Sequence, residues 1–149
     1  MRRVVVRSVL VGGLIDAFCS SFLGAVSVVV VLLILSIAHT PPDSVAAVTS
    51  DIVRANPLFI AAQVVIGAGC SLLGGYIAAR LAGHDERLNG AVSSIVSVVS
   101  GIVAIALGHD PQQLTLHVLI LPVKPILGYA GGYLRESQRR RGRIVEPAR

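Results

Sequence analysis

Two ionisable residues, Asp16 and Lys124, lie inside stretches of the chain that are otherwise apolar. Asp16 follows Arg7 by nine residues and Lys124 precedes Arg135 by 11, so each would lie about 13 to 16 Å from one end of its stretch if both were helical. A single charge in the middle of a bilayer is costly, and an opposite charge at the same depth lowers that cost. We therefore predict an ion pair between Asp16 and Lys124.

Two other roles for these residues remain open. Each side chain could reach headgroup water separately, and side chains of the last apolar stretch point back toward its N-terminal end, which would draw Lys124 away from Asp16. Alternatively, the two residues could line a path for ions or protons. A path would indicate a channel or transporter, whereas a pair buried in a dry interior would indicate a structural role.

Four apolar segments must position these two residues. They cover about residues 9–38, 58–80, 91–108 and 114–134, and each is roughly long enough as a helix to cross a hydrocarbon layer of about 30 Å. The chain is 54% hydrophobic and only 14% charged, whereas soluble domains carry about 25% charged residues. These observations predict an all-α membrane protein, a single transmembrane domain over residues 1–149 folded as a bundle of four transmembrane helices.

The basic residues are distributed unevenly between the connections. Both ends of the chain and the connection between spans two and three together hold 11 of its 13 Lys and Arg residues, while the other two connections hold only Arg54. Basic residues collect on the cytoplasmic side of membrane proteins. We therefore predict a multi-pass protein of the cell membrane with both termini in the cytoplasm and a basic cytoplasmic tail at 135–149. A cleaved signal peptide is the alternative for the first span, but that apolar run is about twice the usual length.

Prolines and polar residues divide the apolar segments. Pro41 and Pro42 should end the first span, because neither can donate a backbone hydrogen bond. Residues 43–55 then predict a short helix on the outer membrane surface, capped by Asp43 or Ser44, with an irregular polar loop as the alternative.

Two further boundaries bear on the arrangement of spans three and four. Asn89 is a suitable N-cap for span three. Pro122 and Pro125, on either side of Lys124, predict a kink or a short break within span four.

Small residues recur at three- or four-residue spacing in every span. In lipid, helices associate through close backbone approach, which small side chains permit, and serine hydroxyls can donate hydrogen bonds between helices. We therefore predict a tightly packed bundle, although the same residues could instead face a second copy of the chain. The predicted packing residues are Gly13, Gly24, Gly67, Ser71, Gly74, Gly75, Ser97, Gly101, Gly128, Gly131 and Gly132.

Membrane lipid is the first partner that the charge pattern indicates. The net charge of +5 is concentrated on the predicted inner face, so it favours anionic headgroups over nucleic acid. The residues predicted to contact headgroups are Arg80, Arg139, Arg140, Arg141 and Arg143. The remaining predicted partners are another membrane protein or further copies of the chain.

The sequence contains no recognisable catalytic or cofactor motif, so we expect no enzyme activity, no cofactor and no metal. The thiols of Cys19 and Cys70 lie within apolar spans and are expected to be inert. Three histidines near the predicted outer surface have spacings that match no metal-binding motif. The pattern favours a structural or interaction bundle, with a subunit of a small oligomeric channel or transporter as the alternative. A third possibility is a lipid-handling enzyme that uses the outer histidines or the basic inner face.

The predicted central hairpin contains the run from Gly74 to Ala82, Gly-Gly-Tyr-Ile-Ala-Ala-Arg-Leu-Ala, which is followed by Asn89-Gly90-Ala91-Val92. These residues resemble the central hairpin of a group of small four-span bacterial membrane proteins of unknown function. In that group, Gly-Gly-Tyr-x-Ala-x-Arg closes span two, and the Gly-Gly-Leu-Ile-Asp run ending at Asp16 is similar to their first span. The resemblance implies four spans and no activity. It covers the first three spans, and the proline break around Lys124 has no counterpart in it.

Overall fold

The computed structural model describes residues 3–38, 41–108 and 122–145. Over these residues the chain forms five α-helices and no strand, which confirms the all-α prediction. The helices are α1 (Val6–Ile37), α2 (Pro42–Ala55), α3 (Pro57–Ala82), α4 (Glu86–Gly108) and α5 (Val123–Val145). The beginning of the predicted fourth span lies outside the described residues.

Two of these helices, α1 and α3, are long and apolar enough to cross a membrane. Helix α1 has 32 residues, which at 1.5 Å per residue gives a length of about 48 Å. That length exceeds a hydrocarbon layer of about 30 Å, so a spanning α1 is expected to tilt.

Helix α2 forms where the sequence predicts it, but its predicted caps are wrong. The helix begins at Pro42, so Pro41 occupies the N-cap position and no side chain caps the first turn. Asp43 and Ser44 therefore lie inside the helix, and the Ser44 hydroxyl donates to the Pro41 carbonyl oxygen (2.8 Å). The reason is that proline suits the first helical position, where its missing N–H would have no partner in any case.

Both ends of α3 have local signals in the sequence. The Asn56 side-chain oxygen accepts hydrogen bonds from the backbone N–H groups of Leu58 (2.9 Å) and Phe59 (3.2 Å), as an N-cap does. At the other end, Gly83 has a φ of 67°, and its N–H donates to the Ala79 carbonyl (3.2 Å). A left-handed glycine directly after the last helical residue is a common way to end a helix.

The basic C-terminal segment is helical rather than a separate tail as far as Val145. Helix α5 continues from Val123 through the arginine-rich residues without interruption. The sequence predicts a basic tail at 135–149 and a solvated end beyond Gln138, because no apolar period continues there. Contacts between this segment and the start of α4, described below, provide tertiary stabilisation that the sequence pattern does not reveal.

The chain divides into two compact units. Unit 1 contains the described residues up to Phe18 and from Ala68 onward, and unit 2 contains Cys19–Gly67. In unit 1, α4 and α5 pack extensively against each other. In unit 2, the Gln63 side chain on α3 donates a hydrogen bond to the Ser27 hydroxyl on α1 (2.7 Å).

Polar side chains are buried in this protein and large apolar side chains are exposed. Among the described residues, nine buried side chains are polar or charged and only four are apolar, two of which are alanines. By contrast, Phe18 is 71% exposed, Ile37 77% and Leu58 80%. Soluble proteins show the opposite pattern, so the outer surface suits an apolar surrounding.

Most of the predicted packing glycines lie against neighbouring backbone or side chains. At six of them, an added Cβ would lie less than 3.0 Å from an atom of another helix. These six are Gly13, Gly74, Gly75, Gly128, Gly131 and Gly132. Gly24 and Gly67 differ. A Cβ at Gly24 would meet only the Gln63 side chain (3.8 Å), one at Gly67 would meet nothing within 4 Å, and Gly101 is half-buried.

Candidate functional site

Asp16 lies on α1 in the interior of unit 1, where it is 1% exposed. The Ser71 hydroxyl on α3 lies within hydrogen-bonding distance of both carboxylate oxygens, at 3.1 and 3.0 Å. The two helices approach closely because the facing residue on α3 is Gly74, where a Cβ would come within 2.9 Å of the Asp16 Cβ. Ser71, predicted as a packing residue, thus also supplies a polar partner for the buried carboxylate.

Lys124 points to the same place from the first turn of α5. Its Nζ lies 3.8 Å from Asp16 Oδ2 and donates a hydrogen bond to the Ser97 hydroxyl on α4 (2.9 Å). A separation of 3.8 Å is too long for a hydrogen bond, so the attraction between ammonium and carboxylate is Coulombic. The structure thus brings together Asp16 and Lys124, and the two serines complete a polar cluster to which α1, α3, α4 and α5 each contribute one residue.

The position of Lys124 follows from the start of α5. Because the described helix begins at Val123, Pro125 lies in its first turn, where a missing N–H removes no intrahelical bond. A helix N-terminus carries partial positive charge, so a lysine there is unfavourable unless a carboxylate is near. The Asp16 carboxylate meets that requirement.

Asn89 is the centre of a second polar cluster and does not cap α4. The helix begins at Glu86, so Asn89 lies a turn inside it and is fully buried. Its Oδ1 accepts from the Val5 N–H (2.8 Å), and its Nδ2 donates to the Arg3 carbonyl (3.3 Å) and to two carbonyls of the loop before α4. The Asp85 carboxylate also accepts from the Arg3 N–H (2.9 Å). Asn89 therefore fastens the N-terminal segment to the α3–α4 loop.

An ion network joins the start of α4 to α5. Arg87 Nε donates to Glu136 Oε2 (2.6 Å), and Nη1 donates to the Tyr129 hydroxyl (3.1 Å). The Arg87 guanidinium also lies 4.7 Å from the centre of the Tyr133 ring, within the range of a cation–π contact. Arg140 donates to the other Glu136 oxygen (2.5 Å).

These contacts stabilise the charged forms of both partners. The hydrogen bond to Tyr129, followed by the one to Glu136, raises the pKa of Arg87. The hydrogen bond from Arg87 lowers the pKa of Glu136 and outweighs the opposing effect of burial. Both groups are therefore charged at neutral pH.

Arg139 compensates a buried carboxylate at the same end of the helices. Its Nη1 donates to the Gly83 carbonyl (2.7 Å) and lies 3.0 Å from an oxygen of Glu86, a residue that is 4% exposed. Its Nε is buried and has no hydrogen-bond partner among the described residues.

The predicted headgroup arginines differ in their surroundings. Arg139 and Arg140 are engaged by carboxylates. Arg80, Arg140 and Arg141 are exposed. The side chain of Arg143 lies outside the described residues.

The sequence pattern does not reveal the roles of Glu86, Arg87 and Glu136. It does show that the two glutamates lie within the most basic parts of the chain, near the predicted inner ends of spans three and four. Their pairing depends on which faces of α4 and α5 meet, and the sequence alone does not determine that.

The described residues contain no group of three or more His, Cys, Asp or Glu side chains that could hold a metal ion. His39, His109 and His117, considered above for such a site, lie outside the described residues.

Comparison of the chain with models of protein families, with curated proteins and with solved structures finds no match. The resemblance of the central hairpin to small four-span bacterial proteins therefore remains a prediction.

Proposed function

We propose that this chain is a multi-pass protein of the cell membrane, a four-span bundle whose role is structural. In this proposal it binds another membrane protein or a second copy of itself, and it neither catalyses a reaction nor conducts ions. The observation that carries the proposal is the burial of polar side chains beneath an apolar surface.

Magnitudes favour lipid over water around this surface. Thirty large apolar side chains are exposed among the described residues, and burying such a side chain is worth about 1.5–3 kcal/mol in water. If these side chains stayed in water, the fold would lose burial free energy on the order of tens of kcal/mol. Folded domains are stable by only about 5–15 kcal/mol. Lipid removes that penalty.

The contacts at one end of unit 1 support the proposal that both termini lie on the same side of the membrane. The N-terminal segment, the α3–α4 loop and the basic part of α5 all meet there, through Asn89, Arg87 and Arg139. These are the three regions that the positive-inside rule assigns to the cytoplasm.

The environment of Asp16 and Lys124 favours a structural role over transport. Asp16 is 1% exposed and already has Ser71 and Lys124 as partners. A conducting path needs a wet lining with exchangeable partners. A cluster in which opposite charges and hydroxyls satisfy one another instead fixes the register of four helices.

Topology is tested by labelling. Tags at Met1 and Arg149 should both be accessible only from the cytoplasmic side in sealed vesicles, with a tag in the α2 segment accessible only from outside. Accessibility of the two ends from opposite sides would contradict the four-span arrangement.

Transport and interaction are tested separately. Liposomes that hold wild type or Asp16→Asn should show the same proton and alkali-cation flux as protein-free liposomes, and flux that depends on Asp16 would support the channel alternative.

Extraction into native lipid nanodiscs should yield either a dimer or higher oligomer, or a stoichiometric protein partner. A monomer without any partner would contradict the interaction role.

A further inference from the structure

A groove of about 500 Å³ lies where the start of α4 meets α5. Its walls combine arginines with carboxylates and one phenol, and Leu88 and Ala91 provide apolar surface. Such a volume is within the usual range for sites of small ligands. In the proposed topology this groove lies at the depth of the inner-leaflet headgroups.

The groove has a surplus of hydrogen-bond donors. Each of its three arginines, Arg87, Arg139 and Arg140, carries five N–H donors and no acceptor. The groove also contains three carboxylates: those of Glu86 and Glu136 are engaged by these arginines, and that of Asp85 accepts from the Arg3 N–H. Together the arginines carry more N–H donors than these carboxylates can accept, so a ligand rich in acceptor oxygens would complement the groove.

We propose that this groove binds the phosphate of a phospholipid headgroup, held by Arg87 and Arg139 beside Tyr129. Phosphate oxygens are acceptors that suit the forked geometry of guanidinium groups. The apolar surface of Leu88 and Ala91 distinguishes a lipid from a free phosphate, because it contacts the part of the molecule that leads to the acyl chains. This inference rests on the proposed function, because it requires insertion into a membrane. It replaces the general attraction of a basic face for anionic lipid by binding at one defined site.

The test measures lipid retained by the purified full chain in neutral detergent, by native mass spectrometry during titration with short-chain phosphatidylglycerol. Arg139→Gln should raise the lipid concentration for half-occupancy about tenfold, the effect of losing one charge-assisted hydrogen bond. Arg141→Gln is the matched control, since it removes the same charge from an exposed position on α5. It should bind lipid like wild type.

A second variant separates binding from folding. Arg87→Lys keeps the charge but loses the forked donor geometry, so it should also weaken lipid retention. Because Arg87 also contacts Glu136 and Tyr129, the melting temperature of this variant is expected to fall, and retention is measured at a temperature where circular dichroism shows the variant to be as helical as wild type. Equal losses in Arg139→Gln and Arg141→Gln would overturn the discrete site in favour of diffuse attraction. Retention unchanged in Arg139→Gln and in Arg87→Lys would overturn it altogether.

Competition identifies the source of the phosphate. Dioctanoyl phosphatidylglycerol should displace a long-chain phosphatidylglycerol that was bound beforehand and has a different mass, and inorganic phosphate at the same concentration should not. Equal displacement by both would overturn the lipid assignment and indicate a site for soluble phosphate. These measurements in detergent do not depend on which way the chain crosses a bilayer, so a failure of the proposed topology would be seen separately in the labelling experiment.

Discussion

At the scale of single residues, the unusual feature is a charge pair in the interior of a protein with so few charges. Asp16 and Lys124 are 3.8 Å apart without a direct hydrogen bond, and each has a serine neighbour. Removing one member of a buried pair leaves the other charge uncompensated, which costs about 3–5 kcal/mol, whereas removing both often costs little. The arrangement therefore predicts strong coupling between the two positions.

We expect Lys124→Met to lower the free energy of unfolding in detergent by about 3–5 kcal/mol, because it leaves the buried Asp16 charge uncompensated. Asp16→Asn should lower it by less, because Lys124 is partly exposed. The double variant should be more stable than the sum of the single effects predicts, by about 1 kcal/mol or more. Reversible unfolding followed by circular dichroism measures all four proteins. Additive effects would show that the residues do not stabilise each other.

The Arg87–Glu136 pair predicts a pH dependence of stability. The pKa of Glu136 is lowered from its usual 4.5 in the folded protein, so its stabilising contribution is complete above that value and is lost as the pH falls through the lower folded pKa. Melting temperatures of wild type and Glu136→Gln should therefore differ at neutral pH and converge in acid. A difference that stays constant from pH 7 to pH 3 would argue against the pair as the cause.

At the scale of the helices, the sequence predicts where they form but not which faces meet. Hydropathy and prolines locate α1 to α3, and matched depths suggest that Asp16 and Lys124 meet, because these signals lie within each segment. Asn89 shows the limit. Its type and position suggest a cap, but its side chain instead binds residues 84 and 86 positions earlier in the chain, and such contacts depend on tertiary packing.

Close helix packing at Gly128 gives a prediction at this scale. A Cβ there would overlap the Ser94 hydroxyl and the Gly90 carbonyl oxygen on α4, and backbone cannot move aside as a flexible side chain can. Gly128→Ala should destabilise the protein by about 1–3 kcal/mol, as overpacking does.

Gly67→Ala is the matched control for this experiment, because a Cβ at that helical glycine meets nothing within 4 Å. It should leave the melting temperature unchanged or raise it, since alanine favours helix more than glycine does. If Gly128→Ala were equally harmless, α4 and α5 would not be in backbone contact at this position.

At the scale of the whole molecule, the arrangement of polar and apolar surface determines which solvent suits the fold. Exposed side chains such as Phe22 (57%) and Leu33 (58%) are favourable in lipid and unfavourable in water. The polar interior, in turn, gives the helices interactions that lipid cannot replace.

We expect the full chain to remain in the membrane fraction after extraction with alkaline carbonate and to enter solution only with detergent. The physical reason is the large apolar area that water would otherwise contact. A peripheral membrane protein of the same cells, analysed in the same fractions, should be released by carbonate. Recovery of the chain as a monomer in detergent-free buffer would contradict membrane insertion.

The long separation in sequence between Asp16 and Lys124 has a consequence for biosynthesis. Their positions differ by 108 residues, and at about 5–20 residues per second a ribosome needs roughly 5 to 20 s to make that length. During this interval the acid is made without Lys124, while Ser71, its hydrogen-bond partner on α3, is already part of the nascent chain. The nascent protein must therefore tolerate an acid without its basic partner until translation reaches α5.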